Sequence, residues 1–112
     1  MALSCNINFF IAKILIRNLI ARIQYELGML DELKVELELH RHHLSDEKLT
    51  EDRRQHLKTF ITVMRRLGDL RRTYNDEKLM QLSDFVDAQK SFANRRWFQE
   101  KIRELRETTF NE

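Results

Sequence analysis

Residues 7–23 read INFFIAKILIRNLIARI. This is the most apolar stretch of the chain, yet Lys13, Arg17 and Arg22 interrupt it. It is a membrane anchor, a targeting peptide, or one face of a helix that needs a partner, and the fold turns on which. A spanning helix needs about 20 mostly apolar residues, whereas the longest unbroken apolar run here is Phe9 to Ala12. A charge at the bilayer centre costs roughly 2.5–3.5 kcal/mol, and Lys13 and Arg17 would both sit near it. A secretory signal carries its cations ahead of the apolar core; here they lie inside and after it. Residues 1–25 have three cations and no acid, a composition that also suits an organelle presequence. A structural helix is the preferred reading.

Phe9, Ile16, Ile23, Leu30, Leu37 and Leu44 recur at intervals of seven, joined by Ile20 and Leu27 at i+4 and by Leu19, Leu33 and His40 at i+3. That spacing predicts one apolar stripe on a continuous helix over about 5–43, close to a coiled-coil seam. Gly28 in its middle weakens such a helix by about 1 kcal/mol relative to Ala, which packing can absorb.

Ser45-Asp46-Glu47 and Thr50-Glu51-Asp52 both read as helix starts, with a capping hydroxyl followed by acids that favour the positive end of the helix dipole. A second helix is therefore expected over 51–74, with Leu57, Phe60, Ile61, Met64, Leu67 and Tyr74 on one face. Asn75-Asp76-Glu77 repeats the start signal and predicts a third helix over 77–107. Its apolar residues are Leu79, Leu82, Phe85, Val86, Phe92, Phe98, Ile102 and Leu105, and the pattern stumbles near Gln89 and at Ala93-Asn94. Residues 26–52 carry nine acids and three bases, and residues 53–74 carry seven bases and one acid. These blocks complement each other if the chain folds back between them. The expected architecture is all-α: three long helices in an antiparallel hairpin or bundle with coiled-coil character, a single domain over 1–112.

In that arrangement the second helix, at 1.5 Å per residue, is about 36 Å long and the first about 60 Å. The stripe of residues 7–23 is then left uncovered. Either the second and third helices run on as one arm and cover it, or a partner does. The start signal at Asn75 favours the partner, a second copy of the chain being the simplest.

The bulk composition agrees. The chain has no proline and two glycines, Gly28 and Gly68, too few for the tight turns of a β-rich fold. Cys5 is the only cysteine, which excludes an intramolecular disulfide and a cysteine-based metal cluster and fits a reducing, cytoplasmic setting. A net charge of +2 is too small to argue for nucleic acid by itself.

Three constellations bear on chemistry. Glu36, His40 and His43 share a helix face, with His42 adjacent and His56 past the turn; neutral imidazoles at such spacing can bind zinc or nickel. No second cluster supports a metal, and none is expected, nor any cofactor. The doublets Arg53-Arg54, Arg65-Arg66, Arg71-Arg72 and Arg95-Arg96, with Tyr74, Trp97 and Phe98 nearby, combine phosphate-binding cations with stacking surfaces. Catalysis has no motif: there is no Gly-rich phosphate loop and no nucleophile elbow. The expectation is a non-enzymatic protein-interaction module, an adaptor, chaperone-like partner or complex subunit. It would assemble through Phe9, Phe10, Ile14, Ile16, Leu19, Ile20 and Ile23, with Trp97 and Phe98 as a second surface. The alternative is a helical binder of RNA or DNA that uses Arg65, Arg66, Arg71, Arg72, Arg95 and Arg96.

Overall fold

The computed structural model describes residues 2–89 and 94–110. Among these the regular structure is entirely helical. The helices are α1 (Ala2–Glu26), α2 (Leu30–Arg41), α3 (Glu51–Arg72), α4 (Asp76–Ala88) and α5 (Arg95–Phe110), with a 3₁₀ turn at His42–Ser45. The all-α expectation holds, but the number of helices does not. The span 5–43 holds two helices, and so does 77–107, while 51–74 corresponds closely to α3. Phe92 and Ala93, where the third pattern stumbles, lie outside the described residues.

The first correction comes from Gly28. Its φ of 75° is left-handed, a conformation open to glycine because no β-carbon clashes there. The Gly28 amide donates to the Tyr25 carbonyl at 3.1 Å, and the Met29 amide donates to the Gln24 carbonyl at 2.9 Å. These paired bonds satisfy carbonyls at the helix end and form a Schellman stop. Gly28 therefore ends α1 instead of weakening a longer helix. The sevenfold stripe is cut with it: Ile16 and Ile23 are exposed on α1, whereas Leu37 is buried on α2.

The remaining boundaries follow side-chain caps. Thr50 Oγ1 accepts the Arg53 amide at 3.2 Å and opens α3. Asn75 Oδ1 accepts the Lys78 amide at 2.9 Å and opens α4, so α3 and α4 are separate helices. Asn94 has a φ of 70°, a left-handed value that asparagine tolerates. Its carbonyl accepts the Phe98 amide at 2.9 Å as α5 begins.

The chain divides into two compact units, Met1–Lys58 and Thr59–Glu112, at a point within α3. In the first, α2 folds back antiparallel on α1: Phe10 meets His43, Arg17 meets Glu36 and Asn18 meets His40. Buried apolar residues here are Phe10, Ala21, Tyr25, Leu33, Leu37, Leu49 and Leu57. In the second unit, Phe60, Met64 and Leu67 of α3, Leu79, Leu82 and Val86 of α4, and Phe98 and Ile102 of α5 are buried. The Phe60 and Phe98 rings lie 5.5 Å apart, tilted by 56°.

Candidate interaction surfaces

A polar cluster between α1 and α2 decides which face of α1 looks outward. His40 is fully buried, and its Nε2 lies 2.6 Å from Asn18 Oδ1. Burial first, and then the charges of His43 and Arg17, push the His40 imidazole down to about 4. The ring is thus neutral at neutral pH, and Nε2–H donates to the Asn18 carbonyl oxygen. One turn away, Arg17 Nη1 donates to Glu36 Oε1 at 3.0 Å, which compensates a carboxylate that is largely buried. His43 packs edge-on to both His40 and Phe10, with centroids 5.8 and 5.6 Å apart. The Lys48 ammonium sits 5.4 Å from the Phe10 centroid. Burial, then the charges of Arg17 and Lys13, lower the His43 pKa as well.

Leaving a buried polar group without its partner costs about 1–3 kcal/mol. Asn18 is therefore held inward, and Ala21 and Tyr25 are buried with it. The opposite face of α1 points to solvent: Phe9 is 68% exposed, Ile16 56%, Ile23 48% and Leu27 68%. Leu19 and Ile20 are exposed among them, and Leu15 and Met29 widen the surface.

The expected assembly residues thus separate. Phe9, Ile16, Leu19, Ile20 and Ile23 share the exposed face; Ile14 is half-buried; Phe10 is buried against His43. Phe98 is fully buried against Phe60, so it does not offer a surface. Trp97 is half-buried, edge-on to Phe98 at 5.3 Å, with Lys101 5.6 Å from its ring centroid. Leu15 and Met29 were not singled out from the sequence, and Leu27 lay on the predicted stripe without being counted among the assembly residues. The signal for Leu27 was present in its spacing from Ile20 and Ile23.

The arginines have several distinct jobs. Arg54 donates to the Leu44 carbonyl at 2.6 Å and the Asp46 carbonyl at 3.0 Å, and pairs with Glu51 at 3.1 Å. It organises the turn before α3. In the second unit, the Arg66 guanidinium lies 5.4 Å from the Phe85 centroid, and Arg95 donates to the Asp87 carbonyl at 2.9 Å. Arg71, Arg72 and Arg96 are exposed, and Arg65 is half-buried. A cavity of about 570 Å³ at the α3–α4 turn is lined by Arg66, Asp69, Arg72, Tyr74, Lys78 and Gln81, among others. The Tyr74 hydroxyl donates to Asp76 Oδ1 at 2.6 Å. The fold thus brings Arg66 and Arg72 to one concavity and adds Lys78 to them; Arg65, Arg71, Arg95 and Arg96 do not line it.

Among the described residues, no three or more histidine, cysteine or acidic side chains are grouped to hold a metal ion. His40 spends Nε2 on Asn18, and His56 lies 3.9 Å from Asp52. Among the described residues, no helix is long and apolar enough to cross a membrane. No known protein family, no curated protein and no solved structure matches the chain.

Proposed function

We propose that this chain is a non-enzymatic protein-interaction module, acting as an adaptor, chaperone-like partner or complex subunit, and that it assembles through the outward face of α1. The observation that supports this reading is the apolar ridge of Phe9, Ile16, Ile20, Ile23 and Leu27, exposed on a helix whose other side is fixed by buried hydrogen bonds. Contiguous apolar patches beyond about 300–600 Å² are rare on soluble monomers and mark interaction sites. A ridge at this spacing suits another amphipathic helix or an apolar groove. The test is the native mass of the tagged chain in an extract of cells that express it. Wild type is expected in a species heavier than the tagged monomer (the chain's 13.7 kDa plus the tag), and a chain carrying Ile16→Asp and Ile20→Asp at the tagged-monomer mass. Wild type at monomer mass in the extract would overturn the proposal.

The cavity at the α3–α4 turn favours one alternative, binding of RNA or DNA. Arg66, Arg72 and Lys78 provide cations for phosphate, and Tyr74 provides an aromatic ring beside them. Asp69 in the same lining opposes it.

A further inference from the structure

We infer that the occupant of the α1 ridge is a second copy of this chain, with the two α1 helices antiparallel about a two-fold axis between Leu19 and Ile20. This rests on the proposed reading of α1 as an assembly surface. Three observations carry it.

The ridge is self-complementary in that register. A two-fold axis at this point brings Ile16 opposite Ile23 of the second copy, and Ala12 opposite its Leu27. Leu19 and Ile20 of both copies fill the centre. A small residue thus faces a large one at each end, and β-branched residues meet on either side of the axis. Isologous pairing requires one patch to fit itself.

Charge also selects the antiparallel orientation. Residues 2–25 hold Lys13, Arg17 and Arg22 and no acid. A parallel pair would set Lys13 beside its own copy at the edge of the seam. In the antiparallel pair the two Lys13 side chains lie about 20 Å apart along the axis, at 1.5 Å per residue, well beyond the screening length of about 8 Å at physiological salt. Each Lys13 instead comes level with Glu26 of the second copy; Arg17 comes level with Arg22, but both are half-buried off the ridge and Arg17 is turned onto Glu36 of its own chain.

Area is the third. Phe9, Ile16, Leu19, Ile20, Ile23 and Leu27 each leave between about two-fifths and two-thirds of their surface in solvent. Together they amount to several hundred Å². Two such faces reach the roughly 1,000 Å² that a specific interface needs.

The test combines solution mass with cysteine cross-linking in a Cys5→Ser background. Purified chain in a light-scattering dilution series is expected at twice the monomer mass. Under mild oxidation, a mixture of Ile16→Cys chains and Ile23→Cys chains is expected to form a covalent dimer. Ile16→Cys chains alone are expected to stay reduced, because the antiparallel register separates those positions by about 10 Å along the axis. A disulfide does not bridge α-carbons more than about 7 Å apart. Circular dichroism confirms that each variant folds. Cross-linking of Ile16→Cys alone, with none in the mixture, would overturn the antiparallel register while leaving assembly intact. A purified monomer would overturn the second copy as occupant; if the extract still shows a heavier species, the module reading survives with a different protein partner. A purified monomer that co-floats with phosphatidylserine-containing vesicles would overturn it in favour of an anionic lipid surface.

Discussion

Asn18 of α1 and His40 of α2 meet at 2.6 Å, both buried, and this contact fixes the rotation of α1 against its neighbour. Replacing Asn18 with Ala leaves the His40 N–H without that acceptor. The expected loss is about 1–3 kcal/mol, read as a lower urea midpoint. Asn18→Asp supplies an anionic acceptor and is expected to raise the His40 pKa, visible in the ring proton shifts by NMR.

Acid should weaken the fold through the same ring. In the folded chain the His40 pKa stands at about 4, against 6.5 for a free imidazole. As pH falls, the unfolded chain takes up its proton first. The stabilisation from keeping His40 neutral is therefore complete above about pH 6.5, and it is lost progressively as pH drops through that value toward 4. His43 is lowered in the same direction and adds to the effect. The loss should be on the order of 2–3 kcal/mol for His40, measured as urea midpoints between pH 7 and pH 4. His40→Gln should flatten most of that pH dependence.

The two faces of α1 should respond oppositely to substitution. Ile16 and Ile20 are exposed, so Ile16→Asp and Ile20→Asp should cost the isolated chain no more than about 0.5 kcal/mol each while lowering its assembly mass. Ala21 is fully buried. Ala21→Leu should cost about 1–3 kcal/mol through overpacking and shift the thermal midpoint down. A large stability loss from Ile16→Asp with none from Ala21→Leu would reverse the assignment of faces.

Phe98 should behave as a core residue. It is fully buried against Phe60 in the second unit. Phe98→Ala should destabilise by about 3–5 kcal/mol, measured by chemical denaturation. A variant with unchanged stability and altered binding would restore Phe98 to the surface.

The arginine alternative makes its own prediction. Arg66→Glu together with Arg72→Glu should abolish binding of a single-stranded oligonucleotide, and wild-type affinity should fall steeply with salt. Fluorescence anisotropy across a salt series reads both. No binding by wild type at low salt would remove nucleic acid from consideration.

Where the local chemistry is strong, helix boundaries were legible. Thr50 and Asn75 each place a capping oxygen before two acids, and α3 and α4 begin there. The exposed ridge of α1 was legible as an uncovered stripe, but its buried face was not, for a physical reason. Periodicity finds the most aliphatic face, but the buried face of α1 is built from Asn18, Ala21 and Tyr25, a polar, a small and an amphipathic residue. The aliphatic ridge is the outward one. The break at Gly28 leaves a trace in the sequence: Asp31 and Glu32, in the first turn of α2, follow it closely. An acidic first turn just after a glycine is a helix start following a helix stop. Asn94, whose left-handed backbone precedes α5, is harder to see, since asparagine serves equally well in many other loops.

Arg54 holds the turn between α2 and α3 by donating to the backbone carbonyls of Leu44 and Asp46. The carbonyls it holds do not titrate. His40, one short turn of chain away, does. Acid should therefore weaken the packing of α1 on α2 at its interior and leave the bonds of Arg54 to the turn before α3 in place.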